Sequence, residues 1–172
     1  SEDYLTYRIR SVEYFGKGLE SAGFTLVKPF GGHAVYIDAS SSLPHVPQKY
    51  YPAQSLSVAF YEEMGLRGVE VGSVMFGYLD EKTDQEVYAP KELVRLAMPR
   101  RVYTQSHIDY IIECAHEFKP KSDQLPGYKF IEQAKKFNPR YLSMIVPARW
   151  YSGGKGLDEF RDEMLKDKRL AQ

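Results

Sequence analysis

Apolar residues Leu5, Ile9, Val12, Phe15, Leu19 and Ala22 recur every three or four positions, one stripe of a helix that Gly23 is placed to end. FTLVKP (24–29) then reads as a strand, GG as a break and HAVYIDA (33–39) as a second strand. Residues 40–52 carry three prolines, which forbid regular pairing, so they read as a loop. Ala53 to Met64 is predicted as a helix, with Pro52 at its first turn and Gly65 after its end. VEVGSVMFGYL (69–79) alternates like a strand, DEKTDQE is a polar connection, and ELVRLAMP (92–99) reads as another strand. Thr104 is placed to cap a last helix, QSHIDYIIECAHEF, with Ile108, Ile111, Ile112, Ala115 and Phe118 at helical spacing. The order is helix, two strands, helix, two strands, helix. It predicts an α+β, two-layer domain over residues 1–118, a small sheet with helices on one face.

The pattern changes after Phe118. KPKSDQLPG (119–127) has two prolines, a glycine and no apolar period, and reads as a linker. A helix from Tyr128 to Phe137 is predicted next, broken by Asn138-Pro139. A strand (YLSMIVP), a glycine-rich loop and a helix from Leu157 to Lys166 complete a helix-strand-helix segment over 128–172. A lone strand leaves both edges unpaired, so this one must borrow a partner.

Charge follows the same division. Net charge is zero over 172 residues, but 1–118 hold 11 basic against 16 acidic side chains and 119–172 hold 12 against 7. Two different partners or two ordinary solvated surfaces both account for this asymmetry. No apolar run approaches the ~20 residues that span a bilayer, and no basic-then-apolar leader opens the chain. Cys114, the single cysteine, allows no intramolecular disulfide. A reducing, cytoplasmic setting is expected. The chain starts inside a helical pattern at Ser1, as a fragment or a trimmed sequence would.

Candidate chemistry is sparse. His33, His45, His107 and His116 are scattered, and the last two stand nine apart rather than four, so capping or core roles are expected over metal ligation. Cys114 reads as a small core residue. GGHAV (31–35) is either a hairpin bend or a close approach to a ligand. YSGGKG (151–156) resembles a phosphate loop in layout but lacks its spacing, and acidic Asp158 and Glu159 open the helix behind it. Arg95 is the informative residue. It lies within an apolar strand, on the face of Leu93 and Ala97, where a guanidinium needs a salt bridge or opens onto a cleft. Arginine suits a planar carboxylate, which it grips through two parallel hydrogen bonds.

GGHAVYIDA, YPAQSLSVAFYEEMGLRGVEVGS and ELVRLAMPRRVYTQSHIDYIIE resemble the C-terminal part of the tryptophanase and tyrosine phenol-lyase family. The likeness starts at YRIRSVEYFGKGLESAGF and runs to about Phe118. It implies the small domain of an aspartate-aminotransferase-like fold and pyridoxal-phosphate-dependent β-elimination from an aromatic amino acid. It also implies that Arg95, the arginine of the VRL-x-x-PR motif, binds the substrate carboxylate. Val71 falls where tyrosine phenol-lyases carry an arginine, so it is the candidate specificity residue and looks tryptophanase-like. The family's Schiff-base lysine, the aspartate facing the pyridinium nitrogen and the phosphate-binding loop belong to its large domain and have no counterpart in this sequence. A complementing large domain or homo-oligomer is therefore the implied partner, and no catalytic or cofactor-binding residue is assigned.

From FIEQAKKFNPRYLSMIVPARWYSGGKGLDEFRDEMLKDKRL onward, over about 130–170, the chain resembles adenine-specific DNA methyltransferases of the restriction–modification type. NPRY (138–141) echoes their NPPY motif with Arg140 in place of a proline. This resemblance implies a weak DNA-binding module, with Lys135, Lys136, Arg140, Arg149 and Lys155 as phosphate contacts, or an inactive chimeric remnant. Natural fusion and artificial sequence both remain compatible with such a seam.

Overall fold

Strand β5 (Leu93–Ala97) forms the centre of a three-stranded antiparallel sheet between β1 (Ala34–Asp38) and β2 (Val69–Val71) in the computed structural model, which describes residues 1–132 and 144–147. Register places Ile37, Val94 and Glu70 in one cross-strand row, and Tyr36, Arg95 and Val69 in the next. Because strand side chains alternate, the two faces differ sharply. Val35, Ile37, Val94 and Leu96 are at most 2% exposed and face the helices. Leu93, Arg95 and Ala97 face the other way and are half-buried or exposed.

Three helices cover the inner face: α1 (Glu2–Ser21), α3 (Pro52–Met64) and α5 (Gln105–Phe118). Their apolar stripes converge on a core in which the Phe60 ring meets those of Phe24 and Phe118 edge-on, at 5.6 and 5.3 Å between centroids. Gly23 stops α1 at φ +96° and Gly65 stops α3 at φ +63°, both as expected for left-handed caps. The stripe of α1 outruns the core: Val12, Phe15 and Leu19 are buried, whereas Leu5 and Ile9 are more than half exposed.

Several expectations need correction. FTLVKP is no regular strand. It makes a single bridge, Leu26 to Ile37, with flanking bonds from Val27 N to Tyr36 O and from Asp38 N to Thr25 O, and Pro29 has no N–H to extend the ladder. The proline-rich stretch contains one helical turn, α2 (Ala39–Ser42), capped by the Asp38 carboxylate, and a 3₁₀ turn at Gln48–Tyr50. The stretch 69–79 is not one strand either. Gly72 breaks it, a helical turn α4 (Ser73–Phe76) follows, and β3 (Tyr78–Asp80) pairs with β4 (Gln85–Val87) in a separate hairpin. Alternation alone does not reveal that break, because the cap that makes α4 is a strand glutamate.

Residues 119–127 form a 3₁₀ segment at Lys119–Gln124 and stay against the domain. Ser122 is 3% exposed, Leu125 packs on the core, and a Cβ on Gly127 would stand 2.5 Å from Tyr50 Cβ. Tyr128 begins a strand, β6 (Tyr128–Glu132), where a helix was expected; aromatic YKF suits a pleated, half-buried surface. Phe130 meets the Tyr51 ring edge-on at 5.0 Å. The strand expected at YLSMIVP is present as β7 (Met144–Pro147), and β6 is the partner it needed. The rest of the predicted 128–137 helix, NPRY, the glycine-rich loop and the last helix lie outside the described residues.

Replacing Tyr128, 8% exposed, with alanine is expected to destabilise the chain by about 2–3 kcal/mol in denaturant unfolding. A freely solvated connection would show a change within ~0.5 kcal/mol.

Candidate functional site

The outer face of the sheet carries two cross-strand rows. Tyr36, Arg95 and Val69 form one; Asp38, Leu93 and Val71 form the other, two residues further along. Arg95 and Val71, singled out separately in the sequence, therefore share one face on adjacent strands. Arg95 is half-buried, which distinguishes it from a freely solvated surface arginine. Among the described residues Arg95 forms no ion pair; Lys17–Glu13 and Lys28–Glu20 do. The one carboxylate in the two rows, Asp38, instead accepts the Ser41 N–H at 3.1 Å. A guanidinium held on a central strand, with no acid paired to it among the described residues, keeps its planar fork of donors free, a geometry that matches a carboxylate. Tyr36 stands directly opposite it, a neighbour that sequence reading passed over because strand pairing is not visible along the chain.

Behind this face lies a polar cluster that sequence reading also missed. Glu92, just before β5, is 1% exposed, and Glu70 of β2 is 8% exposed. One oxygen of Glu92 (Oε1) accepts from the Ser73 N–H at 3.0 Å, from the Ser73 hydroxyl and from Gln48 Nε2 at 3.2 Å. Glu70 accepts the Val74 and Met75 N–H groups at 3.1 and 2.9 Å, so its carboxyl group sits at the start of α4. Burial pushes the Glu70 carboxyl up to about 7, a rise that the neighbouring Glu92 increases and the amide bonds restrain. Burial raises Glu92 as well, against the hydrogen bonds from Ser73 and Gln48. The signal in the sequence was VEVG: with both valines outward, the glutamate between them must point inward.

The histidines take capping and surface roles. His107 Nδ1 lies 3.1 Å from the Thr104 N–H that it accepts, at the start of α5; His116 Nε2 is 3.1 Å from Ser21 Oγ; His45 Nε2 is 3.0 Å from Leu125 O. Cys114 is half-buried against the core. Among the described residues no three His, Cys, Asp or Glu side chains are grouped to hold a metal, and no helix is long and apolar enough to cross a membrane. A cavity of about 270 Å³ lies between the end of α3, the end of β5 and α5; Arg95 and Val71 do not line it.

A cofactor held as an imine needs a lysine amine. Strands β1, β2 and β5 contain no lysine. Of the lysines elsewhere, Lys17 and Lys28 are paired with glutamates and Lys119 Nζ donates to Ser42 O. The three strands thus offer no imine-forming lysine on this face.

Comparison with known proteins gives two matches, in keeping with both resemblances. The beta-eliminating lyase family matches residues 1–114, and the Eco57I restriction-modification methylase family matches residues 105–172, so the two meet on α5. A tryptophanase of Salinibacter ruber is 54% identical over 132 residues, 77% of this chain and 28% of that protein. A tryptophanase of Rhodobacter capsulatus is 48% identical over 134 residues, 78% of this chain and 29% of that protein. A tyrosine phenol-lyase of Nostoc punctiforme is 42% identical over 141 residues, 82% of this chain and 29% of that protein. The chain thus spans less than a third of the length of these relatives.

Gly72 is the tightest point of the buried cluster: a Cβ there would stand 2.5 Å from Glu92 Oε2 and 2.7 Å from Glu70 Oε1. Gly72→Ala is expected to cost about 1–3 kcal/mol in urea unfolding through this overpacking. An unchanged midpoint would show that the carboxylates are free to move aside.

Proposed function

The chain belongs to the beta-eliminating lyase family, and on that premise we propose that residues 1–132 are the substrate-carboxylate domain of a pyridoxal-phosphate-dependent carbon–carbon lyase. The observation that carries this reading is Arg95, half-buried on a central strand with no acid paired to it among the described residues. Its role is to hold the carboxylate of an aromatic amino acid through two parallel N–H···O bonds. That fixes one end of the substrate and leaves bond breaking to other groups. Val71, one row away on the same face, is where the substrate side chain is discriminated; an apolar residue there favours the indole of tryptophan over the phenol of tyrosine. The small-domain architecture of the aspartate-aminotransferase-like fold accommodates this sheet and its three helices.

Cofactor attachment and proton transfer belong, in this reading, to a complementing large domain, in the same or another chain, or within a homo-oligomer. The described domain alone is inactive. Half-buried Cys114 fits a reducing, cytoplasmic setting. Extension of the lyase unit through β6, past the linker predicted at 119–127, is supported by buried Ser122 and Tyr128 and by relatives that align over 132 to 141 residues.

A second reading rests on the match of residues 105–172 to a restriction-modification methylase family. There the C-terminal part is a methyltransferase remnant, and its excess of basic side chains binds nucleic acid weakly. A handful of phosphate contacts gives affinity that falls steeply with salt.

Binding of L-tryptophan to the full chain, followed by amide NMR shifts, is expected near millimolar, with perturbations centred on the rows of Arg95 and Val71. Arg95→Gln should weaken it at least tenfold, the scale of one charge-assisted hydrogen-bond pair; equal binding by that variant would defeat the assignment. Val71→Arg should shift preference toward tyrosine. A gel shift with duplex DNA at low salt is expected to show at most a weak complex, abolished by moderate salt, and complete absence of a shift would dismiss the second reading.

A further inference from the structure

Two buried acids without a buried base are an uncommon arrangement, and the space between them is specific. Glu92 Oε2 is buried and has no hydrogen-bond partner, although the other oxygen of the same group has three donors. It turns toward Gly72, and so does Glu70 Oε1, both within 2.7 Å of the point where a side chain on that residue would begin. Both carboxyl groups thus occupy the space that a side chain at Gly72 would fill. An ionised, desolvated oxygen with no donor is costly, and two facing carboxylates in one site do not both ionise freely.

We propose that Glu70 and Glu92 hold a single proton between them, and that this shared proton seats the turn from Gly72 to Phe76 beneath the outer sheet face. Each half of the turn hangs from one of the two acids: Ser73 from Glu92, and Val74 and Met75 from Glu70. Glu92 also gathers the chain around it, since Gln48 Nε2 bridges it to Ala89 O at 2.7 Å. The groups that donate to the pair are neutral: Gln48 from the 3₁₀ turn, and Ser73, Val74 and Met75 from α4. No cation among the described ion pairs reaches either carboxyl group. Glu70 and Glu92 are positioning residues, acting on the segment that follows Val71. The inference stands apart from the carboxylate-binding role of Arg95, because Glu70 points to the helix side of the sheet in register with Val94.

The sign of the pH effect follows from Glu70, whose carboxyl retains its proton in the fold up to about 7 against an ordinary value of 4.5. The folded state then binds more protons than the unfolded chain between these values, so stability falls as pH rises through that window and levels off above it. Thermal unfolding of the full chain is expected to give a Tm roughly 5 °C lower at about pH 8.5 than at about pH 5. Glu70→Gln and Glu92→Gln should each flatten that slope. In the unaltered chain, the amide shifts of Ser73, Val74 and Met75 should titrate together with one inflection near neutrality, a readout that does not depend on either variant folding. A flat Tm in the unaltered chain, a slope that persists in both variants, or amide shifts that do not move across this range would overturn the proposal.

Discussion

The two-residue alternation of β5 is the constraint on which the rest depends. As the central strand, β5 has hydrogen-bonded neighbours on both sides, so its register fixes β1 and β2 together. Val94 and Leu96 can be buried only if Leu93, Arg95 and Ala97 point away, and a slip of one residue would drive a guanidinium into an aromatic core. The hydrophobic effect therefore holds Arg95 outside indirectly, by holding its neighbours inside. A residue so fixed has lost much of its freedom before any anion arrives, which lowers the entropic cost of binding one.

The same alternation places Glu70 inside while Val69 and Val71 face out. A carboxyl group in that position must find donors, and it does so by ending the strand: the free N–H groups of α4 are its partners. The second acid also turns toward Gly72. The short length of β2, the turn behind it and the small residue between the two acids are thus one solution to the burial of one charge. The outer face and the buried cluster are opposite sides of the same three strands, which ties the seat of the proposed substrate side to the ionisation behind it.

Family membership and geometry contribute different things. The match over residues 1–114 assigns the chain to the beta-eliminating lyases. The structure adds that the segment after α5 stays against the domain: Leu125 packs on the core, Ser122 and Tyr128 are buried, and Phe130 meets the Tyr51 ring. The methylase match begins within α5 and so includes residues that are structurally part of the lyase unit. A seam defined by resemblance and a boundary defined by packing need not coincide, since packing depends on which apolar surfaces are left to cover.

Much was legible in the chain itself. Helical periodicity located α1, α3 and α5, glycines marked the ends of α1 and α3, and β1 and β5 were read correctly because apolar residues dominate them. Arg95 stood out for the same reason, as a charge in an apolar run. What the sequence could not supply was pairing. That FTLVKP makes only one bridge, that 69–79 breaks at Gly72, that Tyr128 enters a strand, and that Arg95 has no acid paired to it among the described residues all depend on neighbours distant along the chain. Local preference is encoded residue by residue, whereas a carboxylate's charge state and a strand's partner are set by what surrounds them in space. Only the folded arrangement decides those.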